Sequence, residues 1–134
     1  MCALRLISYR RFWSSTRYVV LKICNNDHDN QVSASHELRI SNHIATTNPS
    51  HPGHQFVRTV IDSFTAKGPH GTHMCLVCEP LREPIWLLQR RFDDGRYPSG
   101  ILKFTLRYVL SGLDYLHVEC QVIHTGNVAF IIHC

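Results

Sequence analysis

Two groups of residues in this chain have types and spacings that could do chemistry. His70, His73, Cys75 and Cys78 fall within nine residues, and two histidines with two cysteines form a common zinc donor set. Thr72 to Cys78, however, reads as a strand, which turns His73 and Cys75 to one face and Cys78 to the other. Leu76-Val77 would hold the C-x-x-C extended, away from the curl that metal ligation or thioredoxin-like redox chemistry needs. Half-buried strand cysteines and surface histidines, with no metal, are therefore expected. The second group is Lys22, on a β-branched run, and Glu37, in the helical pattern that follows it. By itself such a pair is an ordinary surface ion pair worth little.

These residues need elements to position them. Tyr18 to Cys24 predicts a strand, stopped by Asn25-Asn26-Asp27. Val32 to Ala45 predicts a helix with Val32, Leu38 and Ile44 near one face and Ser33 or Ser35 as its cap. Asn48 to Gly53 is a loop. Val57 to Phe64 and Thr72 to Cys78 predict an antiparallel hairpin turned by Lys67 to Gly71. Glu79 to Pro84 is an extended connector, because a residue before proline is pushed out of the α region. Ile85 to Phe92 predicts a short helix. Ser99 to Val118 predicts a long one, with Leu102, Leu106, Val109, Leu113 and Leu116 on one stripe. Val122-Ile123 and Val128 to Ile132 could be short strands.

The chain has 134 residues and a mass of 15.5 kDa, enough for one ordinary domain. A hydrophobic fraction of 44% with 18% charged residues is globular, not disordered. No unbroken apolar stretch reaches the ~18–20 residues of a membrane-spanning helix, and Arg5 interrupts the only apolar start that could serve as a secretory signal. An intracellular chain with its six cysteines reduced is expected. The net charge is +4, and Arg5, Arg10, Arg11, Arg17 and Lys22 all precede the first acid, Asp27. A nucleic-acid patch or an Arg-rich transit segment would use such a front. A ragged, solvated terminus explains it more simply, and +4 over this length is weak support for nucleic-acid binding.

In their order along the chain these pieces resemble the first half of a eukaryotic protein kinase domain, most closely that of the SR-protein-specific serine kinases of fungal type. Arg17-Tyr18-Val19-Val20-Leu21-Lys22-Ile23 is similar to the strand that carries the V-A-x-K lysine, with Val20 in place of alanine. Ser35-His36-Glu37-Leu38-Arg39-Ile40 is similar to the αC helix with its partner glutamate. Val60-Ile61-Asp62-Ser63-Phe64 and His70 to Glu79 are similar to the family's long hairpin. Gly112-Leu113-Asp114-Tyr115-Leu116-His117 and Ile123-His124-Thr125 are similar to its αE helix and the start of its catalytic loop. The resemblance covers residues 17–125. It divides the chain into an undetermined N-terminal segment (1–16), a partial protein kinase domain (17–125) and a divergent end (126–134).

The resemblance implies an α+β, protein kinase-like fold: a partial antiparallel N-lobe sheet with the αC helix, plus αD and αE, truncated. It implies ATP and Mg2+ as cofactors of the parent family and Arg/Ser-rich splicing proteins as partners. It implies no direct nucleic-acid or membrane partner, and a cytoplasmic and nuclear location. Lys22 would hold the α- and β-phosphates of ATP, with Glu37 orienting it. Val20 would cover the adenine, Cys78 would be the gatekeeper, and the Glu79 carbonyl and Leu81 amide would face the adenine edge. Parts of the family's machinery do not appear. No glycine precedes Gly53, so no Gly-rich loop leads into Lys22. Gly126 follows His124-Thr125 where the family has its catalytic Asp, and no Asp-Phe-Gly follows before Cys134. The chain as it stands is thus expected to be catalytically incomplete, with an exposed αE face open to self-association. The alternatives are a pseudokinase-type module binding a kinase or splicing partner, and a small zinc-binding domain.

Overall fold

The computed structural model describes residues 3–9, 17–80, 85–92 and 94–123, which fall into two compact units. The first, residues 1–45 and 59–80, is built on a four-stranded sheet. Its strands are β1 (Ala3–Tyr9), β2 (Arg17–Ile23), β3 (Val60–Gly68) and β4 (Gly71–Cys78), in the spatial order β1-β2-β4-β3 with every neighbouring pair antiparallel. This is the antiparallel sheet of the α+β fold expected from the sequence. β4 is central, and its last four residues, Cys75 to Cys78, are all buried. That burial explains why it reads as an apolar run and not as an alternating strand.

The edge strand β1 is a departure from expectation. Where the basic front of the chain suggested a ragged terminus, Ala3–Tyr9 pairs along its whole length with β2, from Ala3 opposite Ile23 to Tyr9 opposite Arg17. The alternation of Leu4, Leu6 and Ser8 with Arg5 and Ile7 suits an edge strand, but it is too short and too mixed to stand out in the sequence.

Helix α1 (His28–Thr46) follows β2 and starts four residues earlier than its apolar pattern suggested. Its cap is neither Ser33 nor Ser35. Asp27 accepts the Asn30 backbone N–H through Oδ1 at 2.9 Å, and its carbonyl takes the first helical bond, from Gln31 N–H, at 3.1 Å. Ser35 sits inside the helix, its hydroxyl donating to the Gln31 carbonyl. Val32 is 55% exposed, whereas the buried line runs through Ala34, Ser41 and Ile44. Small residues at 34 and 41 hide the buried face of the helix from any search for large apolar residues.

The β3–β4 hairpin turns at Pro69-His70, with Gly68 paired to Gly71. Gly71 takes φ +124°, a conformation L side chains rarely adopt. β3 begins at Val60, three residues later than predicted, and His54–Phe56 winds into a 3-10 turn ahead of it.

The second unit, residues 46–58 and 81–134, contains that turn, a short helix α2 (Ile85–Gln89) and the long helix α3 (Ser99–Asp114), which continues as a π turn over Tyr115–Glu119. α3 buries Thr105 and Gly112 and leaves Leu102 and Leu106 about half exposed. Its contacts run instead through Tyr108, whose ring lies 4.5 Å from that of Phe56, and through Tyr115, fully buried beside His51 and His54. The Tyr115 hydroxyl donates to the Thr47 carbonyl. The His51 Nδ1 accepts the Gly53 N–H at 3.1 Å while its Nε2 faces Asp114 at 3.4 Å. With Nδ1 accepting, the ring proton sits on Nε2, toward Asp114. Gln121, at φ 53°, closes the helix end, and Val122 and Ile123 form no strand. The expected strand at 128–132 lies outside the described residues. No helix among the described residues is long and apolar enough to cross a membrane.

Candidate nucleotide site

Because side chains alternate along a strand and directly opposed residues share a face, the sheet register decides what stands beside Lys22. Val20 and Lys22 of β2 face the same way, with Cys78 and Leu76 of β4 opposite them and Leu6 and Leu4 of β1 on the other side. Cys78 is 8% exposed and Leu76 fully buried. Cys78 is also paired with Val60 across β3, where the register shifts between Val60 and Asp62. The Val60 N–H, next to that irregularity, is taken up by the Ser41 hydroxyl of α1 at 2.6 Å.

Helix α1 brings Glu37 to Lys22, with Nζ and Oε2 2.5 Å apart. The side chains are 28% and 42% exposed, so the pair contributes no more than about 1 kcal/mol to stability. What it does is geometric: it fixes an ammonium group at the border of an apolar sheet face. Such a face can take a planar base, and the cation beside it can take a phosphate.

Lys22, Glu37, Val20 and Cys78 are thus brought together, and Glu79 follows Cys78 directly at the end of β4. Leu81 lies outside the described residues, as do His124, Thr125 and Gly126. The sequence reading missed Leu6 and Leu76. Only the pairing register places them beside Lys22 and Val20. Of the His/Cys group, His73 turns its Nδ1 to the Cys24 carbonyl at 3.0 Å, and burial raises the Cys75 thiol pKa above its ordinary value. No three His, Cys, Asp or Glu side chains stand together as a metal site among the described residues.

Comparison with known proteins finds protein kinases. The chain is 35% identical over 114 residues to a serine/threonine protein kinase of Aspergillus fumigatus, covering 85% of this chain and 28% of that protein. It is 33% identical over 112 residues to protein kinase dsk1 of Schizosaccharomyces pombe, covering 84% and 21%. With human SRSF protein kinase 3 the identity is 32% over 111 residues, covering 81% and 19%. No protein-family model matches the chain. The sheet and its helices are therefore part of a protein kinase-like fold. Within that class, the chain is related to the SR-protein kinases. It spans between about a fifth and somewhat over a quarter of the length of these relatives.

Proposed function

We propose that the four-stranded unit is the nucleotide-binding part of an SR-protein-kinase-type serine/threonine kinase. The observation that carries this reading is the Lys22–Glu37 pair on the same sheet face as Val20 and Cys78. Lys22 holds the α- and β-phosphates of ATP and Glu37 keeps its ammonium in place. Val20 and Leu6 form the apolar surface for the adenine, whose edge meets the Glu79 carbonyl and the Leu81 amide, with Cys78 as gatekeeper. Magnesium, when bound with the nucleotide, neutralises phosphate charge. The substrate class proposed for the whole kinase is serine in Arg/Ser-rich splicing proteins, following the names of the SRSF protein kinase relatives.

The same resemblance puts Gly126 at the position of the catalytic Asp, so the chain as it stands binds nucleotide without activating a substrate hydroxyl. The test is titration with a fluorescent ATP analogue, with and without Lys22→Met, beside an assay of phosphate transfer to an Arg/Ser-repeat peptide. Saturable binding lost in Lys22→Met, with no transfer, is expected. Absence of binding in the wild type, or metal-dependent transfer that Lys22→Met abolishes, would refute one half of the proposal each.

A second reading, a pseudokinase-type module that binds another protein, draws on α3. Leu102, Phe104, Leu106 and Leu110 are 45%, 54%, 47% and 62% exposed there, and an apolar patch of that kind marks contact surfaces. Leu106→Asp and Leu110→Asp should then abolish capture of a defined kinase or splicing partner.

A further inference from the structure

The Lys22–Glu37 pair holds only if α1 keeps its axial position against the sheet, and a set of polar contacts at the N-terminal end of the helix bears on that position. Gln31 Nε2 has two hydrogens and two acceptors: the Asn26 carbonyl at 3.2 Å and the Thr72 carbonyl of β4 at 3.3 Å. One helical turn further on, the Ser35 hydroxyl lies 3.9 Å from the Met74 sulfur, two residues further along β4. The spacing is commensurate, because four helical residues advance about 6 Å and two strand residues about 6.6 Å. Continuing the ladder by half a turn brings the helix, at Glu37, level with Cys75, the neighbour of Leu76, and Leu76 is the residue opposite Lys22. At the other end, Asn26 Nδ2 donates to the His70 carbonyl at the hairpin tip. A Cβ at Gly71 would stand 2.7 Å from that same nitrogen.

We infer that Gln31 and Asn26 are positioning residues for the proposed nucleotide site, locking α1 to β4 so that Glu37 stays on Lys22. The β3–β4 hairpin tip becomes the handle through which the site is set. This inference rests on the proposal that Lys22 serves a nucleotide, but the lock itself can be tested without one.

The chain has three lysines, Lys22, Lys67 and Lys103, and the last two are exposed, so they serve as internal standards. The full chain is treated with a limiting dose of an amine-reactive ester, and labelling of each lysine is read by peptide mass spectrometry. Glu37→Gln sets the benchmark, a roughly threefold rise at Lys22, the size expected when a part-exposed ion pair is released. Gln31→Leu and Asn26→Asp should approach that rise with Lys67 and Lys103 unchanged, and Gln31→Arg, which restores donors to both carbonyls, should return Lys22 to the wild-type level. Gln31 is exposed, so its variants should fold, and a melting curve verifies it. Wild-type labelling of Lys22 in Gln31→Leu and Asn26→Asp, beside a raised Glu37→Gln, would overturn the inference. So would failure of Glu37→Gln itself to respond. Protection of wild-type Lys22 by a non-hydrolysable ATP analogue is measured separately: its absence would refute the nucleotide reading while the Gln31 and Asn26 comparison still decides the lock.

Discussion

Gly53→Ala should destabilise the second unit by about 2 kcal/mol, the overpacking cost less the entropy that alanine recovers in the unfolded chain. The origin is steric. Gly53 has φ −75° and ψ −20°, an ordinary right-handed helical conformation, so alanine there suffers no backbone strain. An added Cβ, however, would stand 2.0 Å from the Ser111 carbonyl oxygen and 2.7 Å from the Tyr115 Cβ. Ordinary contact begins near 3.4 Å, so the turn and α3 must move well apart to admit it. That oxygen accepts the Tyr115 N–H, and the ring of Tyr115 is fully buried between His51 and His54. Overpacking of this kind costs about 3 kcal/mol at the upper end of the usual range. Loss of glycine's freedom in the unfolded chain returns about 0.4–1 kcal/mol. The net of about 2 kcal/mol corresponds to a fall of roughly 8 °C in melting temperature for a chain of this size. Gly100→Ala is the control, since nothing lies within 4 Å of its Cβ position; it should be neutral or slightly stabilising. Differential scanning fluorimetry measures the shift, and amide exchange at Ser111–Leu116 locates it. A Gly53→Ala melt equal to the wild type would refute the close approach of the turn to α3.

Four further outcomes can be measured. Asp27 has its pKa lowered by the Asn30 backbone N–H and then by the Asn30 side chain. A depressed carboxylate pKa stabilises above the unfolded value and loses that contribution as pH falls through the folded one, so the first turn of α1 should lose exchange protection in acid, and Asp27→Ala should lose it at neutral pH. Tyr115→Phe keeps the ring between the two histidines but removes the donor to the Thr47 carbonyl, and should cost about 1 kcal/mol in a denaturant titration. Burial raises the pKa values of Cys75 and Tyr115 above their ordinary levels. Stability from both is complete below the unfolded pKa and lost as pH climbs, so the chain should weaken above about pH 9. In native buffer Cys24, Cys75, Cys78 and Cys120, all buried, should resist iodoacetamide until denaturant is added.

Much of this molecule is legible along the chain, and the rest is hidden for identifiable reasons. β2, β4 and α3 are visible because each carries a local pattern: a β-branched run, an apolar run after a glycine turn, and leucines at helical spacing. The start of α1 is hidden because its signal is Asp27 accepting bonds from Asn30 within a polar stretch, and its buried face relies on the small residues Ala34 and Ser41 beside Ile44. The start of β3 is misplaced because Val57 is apolar and extended, as a strand residue would be, while pairing with β4 begins only at Val60. β1 is hidden because an edge strand buries little and needs little pattern; Leu4 and Leu6 are 69% and 65% exposed.

For the site, the sequence by itself determined which residues are available and in what order: a lysine on a strand, a glutamate on the next helix, a hairpin and a connector. That order was sufficient to reach the family. Only the tertiary structure decided that Lys22 and Glu37 meet, that Val20, Leu6, Leu76 and Cys78 share their face, and that Gln31 and Asn26 hold α1 in place. The physical reason is register. A strand moved by one residue turns every side chain to the opposite face, and a helix shifted by one turn moves Glu37 by about 5.4 Å. Register is set by contacts between segments distant in sequence, which no local pattern in the chain records.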